Sequence, residues 1–238
     1  MLPRVLEPET LDHLAPDDPV AQRSRRDLRR VNAFMGARRI LARAIARAVP
    51  DAPARTLRIL ELGCGDGRLM LEVARHHGDR WPDARLDLLD RQPIVDAATI
   101  AAYAAAGWQA RPVIADVMAW AGVDDGERWD VIVANLFLHH FDADALRHLL
   151  AACARRADAL AACEPRRSRF ALAASHLIFF LGANAVTRHD GVLSVRAGFV
   201  DRELAAAWPE DAAAWRLDEY DDGLFTHCLV ASRRRTPS

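Results

Sequence analysis

Residues 59–67 read ILELGCGDG, a short apolar run that breaks into three alternating glycines. An apolar run of this length, bounded by turn residues, is the pattern of a buried strand. Glycine lets the backbone turn sharply and lie against a ligand with no Cβ in the way. Arg68 to about His77 follows with helical spacing, so the loop opens a helix. Free N–H groups at a helix start favour anions, and a ligand carboxylate is a fitting guest. Glu61, two residues before Gly63, is placed to face a cationic group or to order the loop. A plain strand–helix turn also uses glycine, but three alternating glycines after ILEL exceed what a turn needs. The spacing is GxGxG, in contrast to the GxGxxG of dinucleotide folds.

Outward from this loop the chain alternates strand and helix. Leu57–Leu62 is a strand, Arg85–Asp90 a second followed by a helix opened by Pro93, and Ala110–Ala115 a third. Asp130–Asn135 (DVIVAN) is a fourth, and its β-branched run suits a central strand buried on both faces. Asp142 caps a helix reaching about Arg155, and Ala157–Cys163 is a fifth strand stopped by Glu164-Pro165. This rhythm implies an α/β, doubly wound parallel sheet. Asp90, at a strand end, is placed to accept ribose hydroxyls, although many strand ends carry an acid for no such reason. Asp116 follows the third strand and either accepts an adenine amino group, with Val117 donating its N–H, or simply caps a helix.

Residues 1–16 are rich in proline and acid and read as irregular. Asp17-Asp18-Pro19 starts a helix. Leu28, Val31 and Met35 share one face, Leu41, Ile45 and Val49 another, with Gly36 between, so residues 1–50 form a helical extension expected to cover the site. Residues 51–238 form the main domain, with an insertion at about 165–215 that breaks the rhythm. That insertion reads as an apolar helix at about 168–181, a loop at Thr187-Arg188-His189-Asp190-Gly191 and a helix at about 201–208. Arg216–Asp221 and Phe225–Ser232 close the chain as a strand pair around Asp222-Gly223.

With 238 residues and 51% hydrophobic content, the chain is long enough for one good-sized α/β domain. A net charge of -1 gives no general pull toward nucleic acid or anionic membrane. No lysine is present, which excludes a Schiff-base lysine. Cys64, Cys153, Cys163 and Cys228 form no CxxC pair, so neither a metal nor a disulfide is expected, and a reducing cytoplasm fits. The N-terminus lacks an apolar h-region, and the most apolar stretch, Phe170–Val186, is short for a membrane span.

These motifs, in this order, resemble a class I S-adenosylmethionine-dependent methyltransferase of the small-molecule type, related to the quinone-biosynthesis C-methyltransferases. ILELGCGDG matches the family's first motif, LLD ending at Asp90 its second, IADV near Asp116 its third, and DVIVANLFLHHF (130–141) its fourth. The resemblance spans about residues 57–165. It implies a seven-stranded, mostly parallel, Rossmann-like sheet in the order 3-2-1-4-5-7-6, with N-terminal helices and a helical lid insertion. S-adenosylmethionine is the implied cofactor, S-adenosylhomocysteine the product, and no metal is called for. Its contacts fall on Glu61, Gly63, Gly65, Asp90, Asp116 and Asn135, bordered by Cys64, Gly67, Arg91 and Val117. RRVNAFMG (29–36) and NAVTRHDGVLSVRAGF (184–199) resemble methyltransferases encoded beside bacterial type III polyketide synthases, which implies a functional link to such a synthase.

After the fourth strand stands Asn135-Leu136-Phe137 in place of the Asn/Asp-Pro-Pro-Tyr signature of nucleobase methyltransferases. With no basic patch interleaved with aromatics, the acceptor is expected to be a small molecule, not nucleic acid. A phenol titrates near pH 10 in water, so a base is useful, and a positioned histidine adds roughly 10²–10⁴ in rate. His139, His140 and His189 are the candidate bases, although each also serves as an ordinary packing residue. Asn32, Phe137, Arg188 and Arg196 are the expected substrate contacts. A hydroxyl of a phenolic or polyketide-like compound is the favoured acceptor, with C-methylation of a quinone-like ring as the alternative. A nicotinamide oxidoreductase would need GxGxxG and a Tyr-x-x-x-Lys pair, which this chain lacks. A binding protein that holds the cofactor without turnover stays open.

Overall fold

The computed structural model describes residues 2–51, 54–176, 182–209 and 212–234. Its seven strands are β1 (Leu57–Leu62), β2 (Ala84–Asp90), β3 (Trp108–Ile114), β4 (Val131–Asn135), β5 (Ala159–Pro165), β6 (Trp215–Asp222) and β7 (Thr226–Arg233). They form one sheet in the order β3-β2-β1-β4-β5-β7-β6. Neighbours from β3 to β5 run parallel, and β7 runs antiparallel to both β5 and β6. The order matches the expected Rossmann-like methyltransferase sheet. Among the described residues no helix is long and apolar enough to cross a membrane.

Each central strand is buried on both faces, as parallel strands between helices are. In β1, Leu57 and Ile59 pack with Leu41 and Ile45 of α2 (Ala37–Ala48) and Met70 and Val73 of α3 (Arg68–His77). Leu60 and Leu62 enter the opposite layer, with Leu146, Leu149 and Leu150 of α6 (Ala143–Arg156). The period of two in the strand and the 3.6 period in the helices thus place the sheet between two apolar layers. Asp142 caps α6 by accepting the Ala145 N–H at 2.9 Å.

α1 (Pro19–Met35) is capped by Asp18 and ends at Gly36, whose φ of +72° breaks the helix and starts α2. The residual helices are α4 (Ala97–Ala105), α5 (Val117–Gly122), α7 (Arg169–Ser175), α8 (Ala185–Ala197) and α9 (Glu203–Ala206). Three expectations are corrected. The helix after β2 starts at Ala97, because Asp96 accepts the Thr99 N–H, and not at Pro93. β5 continues through Glu164 and Pro165, since both pair with β7. Residues 187–191 lie inside α8, because Asn184 caps a helix there by accepting the Thr187 N–H at 2.8 Å. Of the apolar helix expected at 168–181, residues 169–175 are helical; Leu177, Ile178, Phe179, Phe180 and Leu181 lie outside the described residues.

The insertion is joined to the sheet where Gly198 meets the end of β5. A Cβ on Gly198 would lie 2.1 Å from the Pro165 carbonyl oxygen, which accepts the Phe199 N–H at 2.9 Å. The obstacle is backbone and cannot rotate away. Gly198→Ala is expected to destabilise the protein by at least about 2 kcal/mol in urea unfolding, at the upper range of overpacking costs. Gly122→Ala, where a Cβ meets nothing within 4 Å, is the control and should change stability by less than about 0.5 kcal/mol.

Candidate active site

The C-terminal ends of β1, β2 and β4 open onto a cavity of about 1230 Å³. This is where an open α/β sheet offers a ligand crevice. Its floor is the glycine loop. Gly63 and Gly65 take φ of +65° and +55°, which only glycine adopts without strain. A Cβ on Gly63 would sit 2.1 Å from the Phe137 ring, whereas one on Gly65 would meet nothing within 4 Å. The loop is tied to β2: the Gly65 N–H donates to Asp90 Oδ2 at 2.8 Å, and the Cys64 N–H donates to the Leu89 carbonyl at 3.1 Å. Asp90 Oδ1 also accepts the Gln92 N–H at 2.9 Å.

Glu61 lines the cavity above this loop and is 3% exposed. Its Oε2 is buried without a hydrogen-bond partner. Burial, with Asp66 and Asp90 adding to it, pushes this carboxyl well above its ordinary range. A buried acceptor with no donor is costly, so the site is built for a donor that arrives with a ligand. The α-ammonium of S-adenosylmethionine is such a donor, Gly65 leaves room for the ligand's approach, and Asp90 lines the same cavity. The residues present fit that cofactor.

Cys64, Asp90, Arg91, Asp116, Val117 and Asn135 also line the cavity. Asp116 caps α5, accepting the Met118 and Ala119 N–H groups at 2.9 and 3.0 Å. Arg91 donates to the Asp12 carbonyl. Gly67 does not reach the wall. It starts α3 with φ of +70° and faces Leu88, Thr99 and Val95, while the Tyr103 hydroxyl donates to its carbonyl at 2.6 Å.

The far wall is the turn after β4. Leu136 holds the left-handed conformation (φ +52°), uncommon for a leucine. Glu164, fully buried at the end of β5, holds this turn. Its Oε1 accepts the Phe137 and Leu138 N–H groups at 3.0 and 2.8 Å. Its Oε2 accepts the His139 N–H at 3.3 Å and meets His139 Nδ1 at 2.7 Å. His139 Nε2 lies 3.4 Å from Glu9 Oε1. Burial draws the His139 imidazole down, but hydrogen bonds to Glu164 and Glu9 outweigh it, and the ring is pushed up to about 9. Glu9 falls well below the usual carboxylate range, because the facing imidazoles of His139 and His140 outweigh its burial.

His140 is placed differently. Its Nδ1 meets the Phe137 carbonyl at 3.0 Å. A carbonyl only accepts, so Nδ1 carries a proton, and in the neutral ring Nε2 presents a lone pair. That Nε2 is buried, has no hydrogen-bond partner, and stands 3.5 Å from Glu9 Oε2.

The N-terminal segment forms the remaining wall. Arg4 donates to the carbonyls of Ala197, His139 and Phe141 at 2.8, 3.2 and 2.9 Å. The Thr10 and Leu11 N–H groups each donate to Asp190 at 2.9 Å. Asn32 of α1 lines the cavity, as does Phe137.

Three expected residues stand elsewhere. Arg188, His189 and Arg196 are exposed and do not line the cavity, because α8 turns Thr187, Asp190, Leu193 and Ala197 inward. Helical periodicity in a segment read as a loop accounts for the misplacement. Asp190 pairs with the N-terminal backbone, not with His189. Glu9 and Glu164 were not singled out beforehand. A lone acid ending the apolar run ALAACEP was a usable signal for Glu164; Glu9 lies in an irregular stretch and offered none.

Residues 59–158 match the methyltransferase domain family. A 92-residue stretch is 36% identical to trans-aconitate 2-methyltransferase of Streptomyces avermitilis; it covers 38% of this chain. The chain spans about a third (32%) of that relative's length. Among solved structures, a plantazolicin methyltransferase bound to S-adenosylhomocysteine superposes with a TM-score of 0.66 at 12% identity, covering 92% of each chain. An O-methyltransferase family protein from Burkholderia thailandensis superposes with a TM-score of 0.61 at 19% identity, over 92% of this chain and 61% of that one. At these identities the structural likenesses speak for the fold.

Glu164→Ala is expected to cost at least about 3 kcal/mol in urea unfolding, since it strands a buried imidazole and three backbone N–H groups. An unchanged midpoint would remove Glu164 from its supporting place.

Proposed function

We propose that this protein, whose residues 59–158 form a methyltransferase domain within a class I S-adenosylmethionine-dependent methyltransferase fold, transfers the methyl group of S-adenosylmethionine to an oxygen of a small molecule. The acceptor class we assign is a phenolic hydroxyl of a polyketide-like compound. One observation carries this reading: a single cavity holds an unpaired buried carboxylate oxygen on Glu61 and an unpaired buried imidazole nitrogen on His140. The first suits an ammonium group, and the second suits an acidic O–H.

Bound, the cofactor supplies an electrophilic methyl on a sulfonium. The protein's part is mainly positioning, which is worth roughly 7–11 kcal/mol in well-oriented systems. Glu61 would hold the ammonium, Asp90 the ribose and Asp116 the adenine edge, with Asn135 lining the same cavity. Gly63 stays bare so that Phe137 closes over the loop. Were the acceptor oxygen to take that methyl, its proton would pass to His140 Nε2 while the S–CH₃ electron pair stayed on sulfur. Glu9 and Asp12, 3.5 and 3.8 Å from that nitrogen, stabilise the imidazolium that forms. His139, enclosed by Glu164 and Glu9, is a positioning residue and keeps the turn in register. Residues 4–13 and α1 act as the cover on the acceptor side.

Calorimetry with S-adenosylmethionine, S-adenosylhomocysteine and NADH tests the donor: the first two should bind and NADH should not. Glu61→Gln should weaken the methylated cofactor about tenfold or more, the loss of a charge-assisted hydrogen bond. Mass spectrometry of a phenol panel, with trans-aconitate as a carboxylate control, tests the acceptor. His140→Asn should lower kcat by about 10²–10⁴ while leaving cofactor affinity near that of the parent protein. If His140→Asn turns over like the parent, the proton has another route.

A further inference from the structure

From the corner formed by Glu9, His139 and His140, we infer that the protein binds one borderline divalent transition-metal ion, of the zinc class, through two imidazole Nε2 atoms and one carboxylate. Among the described residues this is the one group of three such side chains whose donor atoms lie within 4.8 Å of one another. The inference concerns binding and does not rest on the methyl-transfer reading.

Three observations converge. Both imidazoles have their Nδ1 atoms committed to outer acceptors: His139 to Glu164 Oε2 at 2.7 Å, His140 to the Phe137 carbonyl at 3.0 Å. Ligating histidines are oriented in this way, by a carboxylate or a backbone carbonyl on the far nitrogen. It leaves both Nε2 atoms aimed at Glu9. The two rings lie close and tilted, with centroids 4.2 Å apart at an interplanar angle of 33°.

The spacing also suits an ion. His139 Nε2 stands 3.4 Å from Glu9 Oε1, and His140 Nε2 stands 3.5 Å from Glu9 Oε2. These are long for hydrogen bonds. Each distance, one to either Glu9 oxygen, is near the edge of a tetrahedral site, where metal–ligand bonds of about 2.0–2.2 Å place neighbouring ligands about 3.3–3.5 Å apart. His140 Nε2 has no hydrogen-bond partner at all. Asp12 Oδ2, 3.8 Å from that nitrogen, or a solvent or acceptor oxygen completes a fourth position. Two imidazoles and one carboxylate favour zinc, cobalt or nickel over magnesium.

The glutamate comes from the N-terminal segment and the histidines from the turn after β4, so the ion also fastens that segment across the cavity. It faces the same cavity as Glu61. With the ion bound, His140 Nε2 is no longer free to take a proton, and the cation itself stabilises an acceptor oxyanion; this consequence alone rests on the methyl-transfer reading.

The test is titration of chelator-treated, full-length protein with ZnCl₂ and CoCl₂, with MgCl₂ as the hard-cation control, in a calorimeter. One equivalent of zinc is expected to bind and raise Tm, since an ion held only by the folded chain shifts unfolding. Cobalt should give visible d–d bands. All four cysteines are buried, so thiol ligation does not confuse the spectrum. Glu9→Gln and His140→Gln should each weaken zinc about tenfold or more, and zinc should protect the N-terminal segment from limited proteolysis. Absence of saturable one-to-one zinc binding, zinc binding by either variant as tight as by the parent protein, or magnesium binding as tightly as zinc overturns the assignment. S-adenosylmethionine titrated into the same samples reports separately on the cofactor.

Discussion

The buried carboxylate of Glu164 is the interaction on which the site depends. It ends β5, is fully enclosed, and accepts three successive backbone N–H groups from the turn after β4 as well as His139 Nδ1. A turn that carries a left-handed leucine at its start is not stable by local preference. Glu164 supplies the compensating hydrogen bonds, and the low dielectric around it makes them strong. Phe137 is thereby set over Gly63, and both histidines face the cavity. One side chain on a neighbouring strand positions the whole histidine wall.

The opposite wall is held by different means. Its geometry is a backbone matter, with Asp90 fastening the glycine loop through Gly65 and glycine conformations leaving the floor free of side chains. The two walls carry complementary polarity. Glu61 is a buried acceptor lacking a donor, and His140 Nε2 is a buried lone pair lacking one. Each is an unfavourable arrangement for folding alone, and each is suited to a ligand that brings the missing donor.

Residues 4–13 link these walls to the rest of the chain. Arg4 reaches the carbonyls on the histidine turn and at the end of α8, and Asp190 of α8 accepts two N–H groups from the segment. Glu9 then meets both histidines from outside the sheet. The cavity is therefore assembled from distant stretches of sequence, and disturbing the N-terminal segment alters the electrostatics of the histidine pair directly.

The strands, the glycine cradle and the acids at the strand ends were legible in order because they obey local rules. Apolar runs make buried strands, glycine permits positive φ, and a carboxylate at a strand end faces the crevice. The starts of α4 and α8 were harder to read, since capping by Asp96 and Asn184 competed with a proline and a polar run that resemble loops. The choice among the histidines was decided only by the tertiary structure. Sequence placed His139, His140 and His189 on equal terms; packing enclosed the first, left a free nitrogen on the second, and turned the third to solvent. The reason is that a histidine's role is set by what its two nitrogens touch. Those partners, Glu164 and Glu9, lie 25 and 130 residues away in the chain. The glycine loop is thus written in nine consecutive residues, whereas the histidine wall exists only once the chain has folded.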